Sequence, residues 1–410
     1  MTTFRFVQEN ARWLAAGFLL TWSSGFGQTF FIALSAGHIR AEFGLSHGGW
    51  GSLYTLGTFL SAATLIQAGR LADQLRVRTL ALYVLCGFVV MCLAMAAVSN
   101  WIMLIFVIFG LRFCGQGMMS HLALTAMGRW FRNQRGRAVA IASWGFAVGE
   151  ATWPVLFVML SAIIGWRETW VMGAAVLALV TAPMTFFLLR QERTPISFAT
   201  IHSSPGMEGR HWSRRDALGH WLFWALMPGL IAPAFMVTAV FFHQVHFVEV
   251  KGWSLAGYVS LYPCYSGLAI LANLMAGTAI DRFGSMKLLP VYLLPLGGGL
   301  VVLALCSEFW LAPLGLALIG ATQGCSQALI GSLWPEYYGN RNLGAIRALA
   351  ISATVLSSAV GPGLSGWLLD IGVDLETQLL WMAAYLAIAS IGFVFVERVI
   401  EPPIPKSDKI

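Results

Sequence analysis

Charge is scarce in this 410-residue chain: Asp, Glu, Lys and Arg make up only 10% of it, against 58% hydrophobic residues. A soluble domain devotes roughly a quarter of its residues to charge, so a water-covered globular surface is excluded. Asn-x-Ser/Thr sequons are absent, which favours a bacterial inner membrane over a glycosylated surface. The six cysteines (Cys86, Cys92, Cys114, Cys264, Cys306, Cys325) show no metal-ligand or redox spacing, so they are expected to pack, and neither a metal nor a cofactor is expected. Long polar stretches are missing too, apart from one between Arg190 and about Leu218. A receptor with soluble sensor domains, or a membrane enzyme with a clustered His/Asp/Cys site, is therefore disfavoured.

Apolar runs of roughly 20 residues, the length that crosses a hydrocarbon core about 30 Å thick, are abundant. Spans are predicted at 13–36, 49–68, 79–98, 101–128, 136–163 and 169–189, then at 219–247, 254–276, 287–306, 309–334, 344–368 and 377–398. Backbone amides in lipid must be satisfied within their own segment, so the expected fold is an all-α membrane protein of twelve transmembrane helices. The first span lacks a small-residue cleavage site behind it and is expected to be retained. Lys and Arg collect in cytoplasmic loops. With both termini inside, 21 of the 25 cations fall on that side; Arg40, Arg167 and Lys251 fall outside, and Arg112 falls within the fourth span. Topology thus accounts for the net charge of +7, and nucleic acid need not be invoked.

The chain repeats itself. Gly69-Arg70-Leu71-Ala72-Asp73 and Gly277-Thr278-Ala279-Ile280-Asp281 lie 208 residues apart, and the same shift superposes Gly49 on Gly257, Tyr54 on Tyr262, Gly136 on Gly344 and Pro154 on Pro362. The expected organisation is a six-helix bundle at 1–190, a basic cytoplasmic linker at 191–218 and a second, pseudo-twofold-related bundle at 219–410. Ser213 followed by Asp216 reads as a capping start for the seventh helix. Duplicated membrane bundles usually transport, with the site between the repeats.

The loop from Gly69 to Arg78, repeated more loosely from Gly277 through Asp281 and Arg282 to Lys287, resembles the signature loop of the major facilitator superfamily. The resemblance covers nearly the whole chain. It implies that Gly69, Arg70 and Asp73, with their second-half counterparts, form gating loops, the first docking near Gly344; the alternative is a tight basic turn that only fixes topology. Leu111-Arg112-Phe113-Cys114-Gly115-Gln116-Gly117 is similar to the family's arginine motif of the fourth helix, with the Gln-Gly pair one residue late. In the fifth span, Glu150 stands where antiporters of the family carry proline. Trp22-Ser-Ser-Gly-Phe-Gly-Gln28, Trp334-Pro-Glu-Tyr-Tyr-Gly-Asn340 and Leu343-Gly-Ala-Ile-Arg347 look like the monocarboxylate and oxalate/formate porter branch, but the branch's eighth-helix arginine has no counterpart between Ser254 and Ala276.

A charged side chain at the bilayer centre costs about 2.5–3.5 kcal/mol on insertion scales and normally faces a partner or a watery cavity. Arg112 is the clear mid-span cation and Glu150 the clear mid-span acid; at about 1.5 Å per residue their depths differ by about 6 Å. Two readings stand: an ion pair that fixes helix packing, or the substrate and coupling element. Further candidates for substrate binding are Gln28, Gln116, His121, His243, Gln244, Gln323 and Gln327 on the helices that usually line the family's cavity, with Trp144, Tyr262 and Tyr265 beside them. Pro228 and Pro233 predict a bend in the seventh helix. The expected function is proton-coupled symport of a small organic anion by a monomer with both termini cytoplasmic; the alternative is proton-driven efflux of amphipathic compounds.

Overall fold

The structure, a computed structural model, describes residues 3–69, 71–131, 134–191, 193 and 205–400. Arg70, the side chain of Asp73 and most of the 191–204 stretch lie outside the described residues. All regular structure among the described residues is helical. In chain order the main helices are α1 (Thr3–Ser23), α2 (Ala36–Phe43), α3 (His47–Ala68), α4 (Val77–Ala96), α5 (Trp101–Trp130), α6 (Arg135–Ile164) and α7 (Trp166–Leu188). There follow α8 (Trp221–Phe242), α9 (Gln244–Lys251), α10 (Leu255–Phe283), α11 (Met286–Leu305), α12 (Phe309–Tyr338), α13 (Leu343–Asp370) and α14 (Leu375–Val399). Ten helices among the described residues are long and apolar enough to cross a membrane. Of the other two predicted spans, 49–68 is α3, of spanning length but rich in glycine, serine and threonine, and 13–36 is interrupted.

The 208-residue repeat is written into helix ends. Ser46 accepts the amide of Gly49 to start α3, and Ser254 accepts that of Gly257 to start α10, each satisfying a donor that a helix start leaves over. Helices α2 and α9 stand 208 apart at both ends, and each stops at a left-handed glycine, Gly44 (φ 62°) and Gly252 (φ 66°), a conformation a Cβ would oppose. Ahead of α8, Ser213 and Asp216 form the expected capping box, whose two bonds from Ser213 hold the Asp216 carboxyl below the usual carboxylate range. The helix so started ends at Gly219, because His220 is extended, and the span begins afresh at Trp221.

The chain forms two compact units. The first holds the described residues of Met1–Ser197 together with Thr238–Pro263 and Ala359–Gly372. Within it α1 runs along α6, α3 along α5 and α4 along α7. Two stretches of the sequence's second half thus belong to this unit, and both reach the end where α2 and α3 meet, called distal here: from the first, α9 lies on residues 33–35 and Leu255–Val259 lies on α6, and from the second, Gly366 comes against the His47 carbonyl.

The second unit holds the described residues of Phe198–Val237, Cys264–Ser358 and Val373–Ile410, with α11 packed on α12 and α14. Here α8 stays helical through Pro228 and Pro233. Pro233 has no N–H to give to the carbonyl of Gly229, one turn earlier. The buried Tyr292 hydroxyl donates to that oxygen at 2.8 Å instead. Tyr292→Phe is therefore expected to lower the stability of the full-length protein by about 1–3 kcal/mol, the cost of an unmet buried acceptor. In a double-mutant cycle Pro233→Ala, which restores the helix donor, should recover much of that loss; strictly additive thermal-unfolding shifts would contradict this account.

Candidate functional site

The first span breaks at its centre. After α1 the chain makes a 3₁₀ turn, Ser24–Gly27, passes through extended Gln28 (ψ 154°) and resumes as the short helix Thr29–Ile32. An interrupted helix frees backbone groups that lipid cannot satisfy. Here Arg112 meets the need: its Nη1 donates to the carbonyl of Gly27 at 3.2 Å and to the Thr29 hydroxyl at 3.3 Å. Thr29 is also 2.6 Å from the Tyr54 hydroxyl, and the guanidinium lies 5.4 Å from the centre of the Tyr54 ring. Arg112 is 1% exposed.

The break and Arg112 meet because two backbones touch. A Cβ built on Gly27 would lie 2.8 Å from the Gly115 Cα and 2.2 Å from the Leu111 carbonyl; one on Gly115 would lie 2.6 Å from the Gly27 Cα. Within α5, Arg112–Met119 is π-helical, and such a segment absorbs one extra residue. This segment carries the Gln116-Gly117 pair.

The expected meeting of Arg112 with Glu150 is not observed. No ion pair or hydrogen bond joins them among the described residues, because the guanidinium is drawn to the carbonyl that the broken helix exposes. On the α6 side stand aromatic rings instead: Trp153 lies 4.3 Å from Trp22 and 4.3 Å from Phe26, and its Nε1 donates to the Trp22 carbonyl. Glu150 is half-buried, without a hydrogen bond or ion pair among the described residues. Pro154, one turn on, has no N–H to offer the Glu150 carbonyl. Arg112 keeps an unused edge as well, since its Nε and Nη2 are buried with no hydrogen-bond partner among the described residues. Nε and Nη2 together form the fork that takes a carboxylate side-on.

Comparison with known proteins places this geometry. The family profile of the Major Facilitator Superfamily matches residues 17–291 and 260–409. The chain belongs to the Major Facilitator Superfamily. It is accordingly a membrane transporter rather than an enzyme. A curated relative, an uncharacterized 38 kDa protein in the 23S RNA operon of Thermoproteus tenax, is 24% identical over 77% of each chain. Among solved structures, a bacterial homologue of the human lysosomal transporter Spinster, inward-facing and unoccupied, superposes with a TM-score of 0.70 at 17% identity, over 95% of this chain and 97% of that one. The nucleoside transporter NupG superposes with a TM-score of 0.66 at 12% identity, over 94% and 99%. At these identities the two structures share the fold.

The facilitator's other candidate residues scatter. Gln28 lies at the break and Gln116 in the π-helical segment, both half-buried. His121 turns to the loop after α3, its Nε2 3.2 Å from the Gly69 carbonyl, while Arg129 donates to Ala72 at 2.8 Å. His243, Gln244 and Tyr262 are sealed at the distal end of the first unit. Gln244 donates to the Phe30 carbonyl at 2.8 Å and accepts from the Tyr262 hydroxyl. Trp144 is 47% exposed, whereas Tyr265 is buried. Gln323 is half-buried and Gln327 exposed. At the second copy of the loop motif Asp281 and Arg282 are exposed, Arg282 stacks on Phe283, and among the described residues nothing stands within 4 Å of a Cβ built on Gly277. Gly27, Thr29, Tyr54 and Gly115 were not singled out for the site; their signal was the pairing of Gly25 and Gly27 with Gly115 and Gly117, two glycine pairs in two spans.

Gly115→Ala is expected to destabilise the protein by about 3 kcal/mol or more, since backbone rather than a mobile side chain stands in the way. Gly277→Ala, with open space around it and a better helix former in place, is expected to hold or raise the melting temperature. Thermal unfolding in detergent measures both; equal effects would refute the proposed close approach.

Proposed function

We propose that this facilitator is a proton-coupled symporter of a small organic anion, such as a monocarboxylate. The observation that carries the reading is the unused Nε/Nη2 edge of Arg112. A cation in a membrane interior with no acid beside it is costly to keep, and a carboxylate matches the two donors of that edge in charge, spacing and plane. Thr29 and Tyr54 hold the opposite side of the guanidinium and so preset its plane.

Glu150 is the proposed proton carrier. It is an acid within a span, with no ionic partner among the described residues, so a proton is what would let it cross the bilayer uncharged. Carrying the proton in with the anion removes net charge from the step across the bilayer. The halves 1–190 and 219–410, tethered by 191–218, are proposed to rock about the site, with both termini cytoplasmic in a bacterial inner membrane and the protein acting as a monomer. The anion then reaches Arg112 in the stage of the cycle at which the halves part.

The test is ligand-dependent thermal stabilisation over a panel of carboxylates, sugars and lipophilic cations, together with uptake by proteoliposomes under an imposed pH gradient. Arg112→Ala is expected to weaken carboxylate binding ~30-fold or more, about the loss on truncating one partner of a buried charge pair. Arg112→Lys should restore charge but not the fork, and so recover only part. Glu150→Gln should abolish accumulation driven by the pH gradient while sparing exchange of labelled for unlabelled substrate. Carboxylate responses unchanged in Arg112→Ala would overturn the reading.

A further inference from the structure

The distal end of the first unit is closed by a contact that the anion site does not use. Helix α3 begins there, and its first amides are free donors at the positive end of a helix dipole. Asp370, the last residue of α13, takes two of them: its Oδ1 accepts from the His47 amide at 3.0 Å and its Oδ2 from the Gly48 amide at 2.9 Å. Behind this clasp α3 and α13 run in backbone contact. A Cβ on Gly51 would lie 2.5 Å from the Pro362 carbonyl, and one on Gly366 would lie 2.4 Å from the His47 carbonyl. Thr55 adds a bond to the Ala359 carbonyl at 2.7 Å. Residues 359–370, distant in sequence, are thus held on α3 by one carboxylate at their end and by close packing along their length.

Imidazoles crowd the same place. The His47 ring lies 4.2 Å from that of His246 and 6.1 Å from that of His243, whose Nε2 is 3.3 Å from the Pro362 carbonyl. The charged groups facing these rings are Arg40 from α2 and Asp370 from α13; Glu249 from α9 faces Arg40. Asp370 has both oxygens committed to the α3 amides, with the Ser46 hydroxyl beside it. Neutral rings fit this arrangement. A proton on His47 and another on His246 would set two like charges at ring contact, with the Arg40 guanidinium as a third.

We propose that Asp370 is the distal latch of the transport cycle, holding the second-half segments shut on α3, and that the His47–His246 pair makes the latch open in acid. The proposal rests on the family's transport activity and not on the identity of the anion. Its sign follows from charge: burial and the nearby Arg40 pull the His47 ring down to about 4 in the closed form, whereas an imidazole freed to water titrates near about 6.5, so the closure is kept in full above that value and weakens as the pH falls below it.

Hydrogen–deuterium exchange of the full-length protein in nanodiscs tests it, at about pH 5 and about pH 7.5, either side of the imidazole titration, with rates corrected for intrinsic exchange. Peptides covering 47–55, 243–250 and 360–370 should exchange at least fivefold faster in acid, while those of α11 should not change. Asp370→Asn should exchange fast at both pH values, and the double variant His47→Gln/His246→Gln slowly at both. The wild-type comparison needs no substitution and so holds even where a variant fails to fold. Exchange independent of pH in the wild type, acceleration retained in the double variant, or slow exchange in Asp370→Asn at neutral pH would each overturn the proposal.

Discussion

A backbone carbonyl that has lost its helical partner, and the guanidinium that takes it, organise the first unit of this transporter. Breaking a helix inside a membrane is tolerable only where something else bonds the released groups. Arg112 does so for Gly27, and the debt runs both ways, because a buried guanidinium needs acceptors as much as the break needs a donor. Neither would reach the other without the glycine contact between the first span and α5. The π-helical stretch that starts at Arg112 belongs to the same arrangement, since it spans the residues that carry both the guanidinium and Gly115. Thr29 and Tyr54 complete one side of the group, and its other edge has no acceptor among the described residues.

The two halves share a frame and differ in its contents. Serine caps, left-handed glycines and the short helices α2 and α9 recur at 208 residues. Tyr54 and Tyr262, related by the same shift, each bond a side chain from the first span of their own half or its extension, Thr29 and Gln244. Yet the counterpart of Arg112 under the same shift is Gly320, where a Cβ would lie 2.1 Å from the Tyr265 carbonyl. The first half has a broken helix with an arginine at the break; the second has a continuous helix whose proline leaves a carbonyl that Tyr292 satisfies. Duplication supplied the same architectural problem twice, and the two copies met it with a charged group and a neutral one.

Much of this was legible in the chain. The composition, the apolar runs and the repeat pointed to an all-α membrane fold, and Ser213 with Asp216 marked a helix start found in the structure. The buried state of Arg112 was legible because a cation near the middle of a 30-residue apolar run, unlike Arg129 at its end, has to be enclosed. Its partner was not. Helical spacing placed Arg112 and Glu150 at similar depth, but depth says nothing about rotation, and an acid at the right height loses to a carbonyl at the right angle. His121, His243 and Gln244 are candidates because they lie on helices that usually line the family's cavity, and spacing alone does not separate a cavity wall from a tether to the loop after α3 or a distal seal.

Hydropathy and periodicity are properties of single segments, so the chain alone determined which segments enter the membrane, where most helices begin and end, and that the unit occurs twice. Which backbones approach within contact, which carbonyl a guanidinium finds and which amides a distant carboxylate clasps depend on the relative rotation and depth of several helices at once. Only tertiary packing sets those: a one-residue turn of a helix, 100°, moves a side chain from one neighbour to another without altering the pattern that made the helix.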